Sequence, residues 1–365
     1  MITKYDQHWM KQAIELAQKG EGHVEPNPMV GCVIATEDQL ISSGFHQAFG
    51  DAHAEVNAIA NADVIPDNAS LYVTLEPCCH TGKTPPCTQA VIESGIKRVV
   101  IGATDPNPTV NGDGIKTLTA AGISVISGCC EDACSQLIAP FKTTMEHQRP
   151  WVIAKWAMTL DGKIATRSGS SQWISNQQSR EVVHRLRGRV DAIIVGSGTA
   201  IADDPLLTAR PPGPRNALRV VVSSRAELPL ESQLVVTAKE VPVLVTAGLG
   251  TDPNKIDALQ EKGVEVLNCP GDSRADILPL LMMELWKRGC TNVLVEGGAK
   301  LLGSLFDAEL VDEVNIFVAP KTVGGESATS PVTGKGLEWM NEAHQWDTTS
   351  ESIGNDVLIK GRRCR

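Results

Sequence analysis

Apolar positions along this chain follow two alternating rhythms. Trp9, Met10, Ala13, Ile14, Leu16 and Ala17 recur at the spacing of one helix face, with Asp6 as a candidate N-cap. Residues 30–35 form a continuous apolar run that predicts a buried strand, and Leu40-Ile41 resume after a polar turn. The pattern then predicts a helix over 54–60, a strand over 71–75, a helix over 88–94 and a strand over 98–101. A helix over 115–121, closed by Gly122, and a strand over 124–126 follow. Strands alternating with helices imply a three-layer α/β/α domain.

A helical connection over 131–145 leads to Gln148-Arg149-Pro150, which breaks the pattern. The expected division is therefore 1–146 and 147–365. Beyond it the pattern restarts, with strands over 151–156, 192–195, 219–222, 243–245, 264–266, 292–295 and 314–318. Helices are expected over 177–187, 277–288 and 301–306. This is a second α/β domain. No internal repeat or low-complexity tract is present.

Composition narrows the picture. The 365 residues carry a net charge of −10, and only 4% are aromatic. Nucleic-acid binders present basic faces and stacking platforms, so a long polyanion is not an expected partner. No apolar run reaches the length of a membrane span, and the first 20 residues read as an amphipathic helix rather than a signal peptide. The expected compartment is the cytoplasm. There the ten cysteines would serve as metal ligands or buried thiols rather than disulfides.

Candidate chemistry concentrates in His53-Ala54-Glu55, Glu76-Pro77-Cys78-Cys79-His80 and Pro86-Cys87. One imidazole and two thiolates suit zinc, and three protein ligands leave a fourth tetrahedral position for water. The metal ligands expected are His53, Cys78 and Cys87. Glu55, two residues beyond His53, fits the non-ligating proton shuttle of zinc nucleobase deaminases. The usual second half of that signature is P-C-x-x-C; here Cys87 follows Cys78 by nine residues. The intervening loop is expected either to widen the pocket or to bring Lys83 near a substrate phosphate. Asn27, between Pro26 and Pro28, is placed to present its amide to a ring edge. Cys129, Cys130, Cys134, Cys269, Cys290 and Cys364 read as core thiols, and Cys79 and His80 as bystanders.

Taken together, these residues resemble the bifunctional riboflavin-biosynthesis deaminase-reductases over essentially the whole chain. The marks are Pro26-Asn27-Pro28, His53-Ala54-Glu55, the run from Val73 to Cys78, Thr81-Gly82-Lys83-Thr84-Pro85-Pro86-Cys87 and Asp105-Pro106-Asn107-Pro108. In the second half they are Lys155 to Lys163, Ser171-Gln172-Trp173-Ile174-Ser175, Gly198-Thr199, Ala202 to Thr208 and Glu296-Gly297-Gly298. The resemblance implies a cytidine-deaminase-like domain followed by a dihydrofolate-reductase-like domain, with Zn2+ and NADPH as cofactors. It implies deamination of a diaminopyrimidinone ribosylamine 5′-phosphate to the uracil, then reduction of ribosyl to ribityl.

Carried over by position, Ala157, Trp173, Thr199, Asp203, Ser224 and Gly298 are expected at the cofactor. Ser171, Arg187, Leu207, Arg210 and Glu296 are expected at the substrate. Arg187 and Arg210 suit phosphate oxygens. Ser224-Arg225 is read as a strand end facing the cofactor 2′-phosphate, Trp173 as either a ring platform or core, and Asp203 or Asp204 as the proton-transfer group. A small phosphorylated pyrimidine is the expected partner, and a homo-oligomer the expected state. Two alternatives are a nucleic-acid-editing zinc deaminase with an accessory domain, and a zinc-stabilised scaffold whose metal site His80 or Cys79 closes.

Overall fold

The computed structural model describes residues 1–80, 85–107 and 110–364. The chain divides into two compact units, Met1–Gln148 and Arg149–Arg365. The first contains, in order, α1 (Lys4–Ala17), β1 (Gly31–Ala35), β2 (Leu40–Phe45), α2 (Ala54–Ala60), β3 (Ser70–Leu75), α3 (Cys87–Glu93), β4 (Arg98–Ala103), α4 (Asp113–Ala120), β5 (Ser124–Ile126), α5 (Glu131–Leu137) and α6 (Ala139–His147). Its sheet runs β2-β1-β3-β4-β5. β1 is antiparallel to both neighbours, and β3, β4 and β5 are parallel. β1 and β3 are buried along their whole length, because helices cover both faces. On one face Ala54, Ala58, Val91 and Leu118 pack against Ile34, Val73 and Ile101. On the other, Trp9, Met10 and Ala13 join Cys134 and Ile138 over Val33 and Val100. This is a three-layer arrangement.

The start of α1 differs from the expectation. Its N-cap is Thr3, and Asp6 is the returning acid of a capping box. The Asp6 carboxylate also takes both terminal nitrogens of Arg98, at 2.8 and 2.9 Å. Burial would raise its pKa, but Arg98 and Thr3 hold it at about 2. A buried acid with a distant partner thus imitates a cap in the sequence.

The second unit contains β6 (Trp151–Thr159), α7 (Gln177–Arg187), β7 (Ala192–Gly196), α8 (Ser197–Asp203), β8 (Leu218–Val222), α9 (Gln233–Val236), β9 (Val243–Ala247), α10 (Pro253–Glu261), β10 (Glu265–Asn268), α11 (Arg274–Lys287), β11 (Asn292–Glu296), α12 (Ala299–Asp307), β12 (Glu313–Ala319), β13 (Trp346–Ile353) and β14 (Asp356–Arg363). Nine strands form one sheet, ordered β10-β9-β8-β7-β11-β6-β12-β14-β13. The sheet is parallel from β10 through β12, and the terminal hairpin is antiparallel. α11 and α12 cover one face through Leu281, Leu285, Leu301 and Leu305. Leu186, Leu234 and Leu259 cover the other.

All ten cysteines are free. Cys129, Cys134, Cys269 and Cys290 are buried, as expected of core thiols, and Cys130 is partly so. Cys364 is not: it lies just past β14, and it is exposed. No helix among the described residues is long and apolar enough to cross a membrane.

Candidate active sites

In the first unit, two helix starts and one turn bring the expected ligands together. His53 is the N-cap of α2, and Glu55 lies in that helix's first turn. Cys78 follows β3 in the Glu76-Pro77-Cys78 turn, and Cys87 opens α3. The Cys87 backbone N–H donates to Cys78 Sγ at 3.4 Å, and that of Thr88 donates to the Cys78 carbonyl at 3.2 Å. His53 Nδ1 lies 3.1 Å from Cys87 Sγ and 3.6 Å from Cys78 Sγ. The three ligand atoms lie within 4.8 Å of one another. Among the described residues this is the one group of metal-binding side chains that converges so, and neither Cys79 nor His80 belongs to it. A scaffold site closed by a fourth protein ligand is not what these residues form.

The donor chemistry fits zinc. The hydrogen bond from the Cys87 thiol lowers the Cys78 pKa, against the opposing effect of burial, with His53 adding to it. The same bond pushes the Cys87 thiol up, and a bound metal would take both sulfurs without their protons. Glu55 is only 3% exposed. Burial pushes its carboxyl up to about 7, and the charge of Cys78 adds to this. Asn27 reaches the site through His46: its Nδ2 lies 3.1 Å from His46 Nε2, and the His46 ring meets the His53 ring edge-on at 5.3 Å. Lys83 lies outside the described residues.

In the second unit a cavity of about 720 Å³ opens at the carboxyl ends of the parallel strands, where open α/β sheets bind ligands. Ten expected residues line it: Ala157, Ser171, Trp173, Thr199, Asp203, Leu207, Arg187, Arg210, Glu296 and Gly298. Gly297 and Gly298 both adopt left-handed φ (76° and 81°), which favours glycine. Gly298 is the N-cap of α12 with no side-chain cap, so backbone N–H groups there suit a diphosphate. Both the size of the cavity and this turn fit a dinucleotide.

The structure adds detail at four of these positions. Ser224 and Arg225 do not line the cavity. β8 ends at Val222, where the apolar run ends, and the Ser223 N–H beyond it donates to Thr246 Oγ1 at 2.9 Å. Arg187 is not a free phosphate clamp. Its Nε and Nη2 donate to Glu296 at 2.5 and 3.0 Å, and its Nη1 to the Thr208 carbonyl at 3.3 Å. Trp173 is not core: it is 64% exposed, with the Arg180 guanidinium 4.6 Å from its ring centre. Leu207 lines the cavity and also belongs to the core.

The cavity also holds groups given no role in the sequence reading. Arg180 and His184 line it beside Arg187, and the three recur at helical spacing on α7, a signal present in the sequence. Lys155 Nζ lies 3.7 Å from Glu296 Oε2. Burial lowers the Lys155 pKa, with Glu296 opposing. Burial alone would raise Glu296, but Arg187 and Lys155 outweigh it and hold the carboxyl at about 2. Asp204 is engaged, its Oδ1 accepting the Gln233 N–H at 2.8 Å. Asp203 has no such bond among the described residues, and desolvation raises its pKa.

A His-Cys-Cys centre with a buried glutamate, followed by a separate dinucleotide-sized α/β cavity, defines a zinc-dependent deaminase joined to a reductase. Residues 3–103 match the cytidine and deoxycytidylate deaminase zinc-binding region, and residues 150–359 match the RibD C-terminal domain. The chain is 40% identical to the riboflavin biosynthesis protein RibD of Actinobacillus pleuropneumoniae, covering 98% of this chain and 95% of that one. It is 38% identical to the protein of that name from Aquifex aeolicus, over 100% of both chains. Among solved structures, Acinetobacter baumannii RibD superposes with a TM-score of 0.84 at 36% identity, covering 99% of each chain. A Thermotoga maritima diaminohydroxyphosphoribosylaminopyrimidine deaminase/5-amino-6-(5-phosphoribosylamino)uracil reductase gives 0.82 at 36% identity, with the same coverage. The chain belongs to the riboflavin biosynthesis protein RibD family. It is a bifunctional enzyme of riboflavin biosynthesis, with a zinc deaminase domain and an NADPH-dependent reductase domain of dihydrofolate-reductase-like fold.

Proposed function

We propose that the first unit hydrolyses the ring amine of diaminohydroxyphosphoribosylaminopyrimidine. The second unit then reduces the ribosyl group of the resulting 5-amino-6-(5-phosphoribosylamino)uracil. The observation that carries this reading is the convergence of His53, Cys78 and Cys87 beside a buried Glu55 whose carboxyl sits at about 7. Zinc, when bound, supplies a Lewis acid that makes water acidic near neutral pH. Glu55 takes one proton from the attacking water and delivers it to the ring nitrogen, then takes the second from the added hydroxyl and delivers it to the amine, which leaves as ammonia; such a shuttle suits a pKa near the working pH. Asn27 orients the ring, and Lys83 holds the phosphate.

In the reductase, NADPH supplies the hydride, which no side chain provides. Gly298 and Thr199 bind the cofactor phosphates, with Ala157 and Trp173 beside its ring. Ser224 and Arg225 meet any part of the cofactor that extends past the cavity. Arg210 and Ser171 hold the substrate phosphate. Arg210 takes this role rather than Arg187, because Arg187 is committed to Glu296. Glu296, Arg187 and Lys155 form a fixed charged wall that orients the ribose. Asp203 is the exposed acid positioned to move the proton that accompanies the hydride, since Asp204 is tied to Gln233.

The compartment proposed is the cytoplasm, which suits ten free thiols. The state proposed is a homo-oligomer, supported by exposed Leu337, Trp339 and Met340 in the segment that precedes the edge strand β13 in the chain. Sedimentation would test the latter. The test of function is to incubate the protein with the diamino compound, with and without NADPH, and identify both products by mass. Only the uracil is expected without NADPH; a reduced diamino product would reverse the order of steps.

A further inference from the structure

The turn that carries Cys78 is held from outside by a carboxylate with no part in the chemistry above. Glu76 follows β3 directly, and its N–H donates to the Ala103 carbonyl at 2.9 Å, extending the pairing with β4 by one residue. Its side chain, on a residue 3% exposed, turns toward α4. Oε2 accepts the N–H groups of Asp105 (3.2 Å) and Gly112 (3.0 Å), and Oε1 that of Ile115 (3.2 Å). Gly112 is the N-cap of α4 and Ile115 lies in its first turn, yet the helix has no side-chain cap from its own N-cap residue. Glu76 does that work from another segment, as an anion where the helix start favours one.

A second contact joins the same two pieces. A Cβ at Gly114, in the first turn of α4, would fall 2.2 Å from the Pro77 carbonyl oxygen. The helix therefore rests directly on the peptide that precedes Cys78. Carboxylate and backbone together fix the turn against α4.

We propose that Glu76 is a positioning residue for the metal centre: by fastening the Glu76-Pro77-Cys78 turn to the start of α4, it sets the Cys78 sulfur against His53 and Cys87. The proposal rests on Cys78 being a zinc ligand. Groups that orient ligands rather than bind metal are worth about 10–100-fold in affinity, because a ligand free to swing must be ordered when the metal binds.

The test is the zinc dissociation constant of the full chain, measured by chelator competition. E76Q keeps the shape but places an NH2 group against backbone N–H donors. It is expected to weaken zinc about tenfold, with the reductase rate unchanged as a check on the rest of the chain. G114A removes no hydrogen-bonding group, but its methyl group falls 3.1 Å from Glu76 Oε1 and presses on the same seating of the turn. Its methyl group meets the Pro77 carbonyl, and zinc is expected to weaken. If E76Q misfolds the first unit, G114A decides the matter. C78S separates the two ideas: zinc retained in C78S defeats the ligand assignment beneath the proposal. Zinc lost in C78S, but held within twofold of the parent by E76Q and G114A, overturns the positioning role.

Discussion

The two sites are built on opposite plans. The metal-binding residues of the deaminase lie within one stretch of chain, 53 to 87, and the residue types are dictated by the metal. The reductase cavity is drawn from positions 155 to 329, and one side chain does not identify it. What defines it is the meeting of strand ends, a glycine turn and a balanced set of charges. A metal restricts which side chains serve, while a dinucleotide pocket restricts shape and backbone. The first kind of site is concentrated in few residues and the second is spread over many, so substitutions should act on them differently.

The sharpest way to break this contrast is Glu55→Gln. Deamination is expected to fall by about 10³-fold, within the range ascribed to a positioned acid–base group, while zinc content stays near that of the parent. Ammonia release and elemental analysis would measure both, and loss of zinc would make Glu55 a ligand. Next in size is the comparison of Cys87→Ser with Cys79→Ser after dialysis against a chelator. The first should lose metal and the second should not; equal losses would mean the ligands are misassigned.

Glu296→Gln probes the distributed site. Breaking one partner of a buried ion pair destabilises by about 3–5 kcal/mol, so the melting temperature of the second unit should drop while that of the first holds. Folding lowers the Glu296 pKa from 4.5 to about 2. Its contribution to stability is therefore full above about pH 4.5 and is lost as pH falls toward 2. Acid titration followed by circular dichroism should show that limb in the parent and not in Glu296→Gln. The smallest effect is expected from cutting the chain between Met145 and Pro150. Each unit has its own cores, and each activity per folded molecule should stay within about twofold, consistent with separately folding domains. A large loss in either well-folded fragment would mean that the sites depend on each other.

How much the sequence reveals follows the same division. The central strands are legible because burial on both faces makes them continuous apolar runs, as in β7 and β9. β13 gives no such sign: six of its eight residues are exposed, and it is held by its register with β14. α8 starts Ser-Gly-Thr and spans seven residues, too weak a pattern to read, although it carries Thr199 and Asp203. α10 did leave a signal, Asp252 as N-cap with Pro253 behind it. In the deaminase the ligand types are legible, but their support is not, because Glu76 acts on α4 across 36 and 39 residues of chain. Arg187 was legible as a cation of the cavity; its engagement with Glu296, 109 residues on, was not.

The order of strands in the large sheet bears on how the enzyme is made. β6 is the first strand of its unit to leave the ribosome, yet its two neighbours are β11 and β12. The partners of Ile153, Leu294 and Glu313, emerge more than 140 residues after it. Domains fold from the N-terminus during synthesis, so the deaminase is able to complete its sheet and take up metal while β6 still waits with both edges bare. Long-range parallel pairing of this kind is slow and open to aggregation. The same chain thus completes its first enzyme before the central strand of its second has a partner.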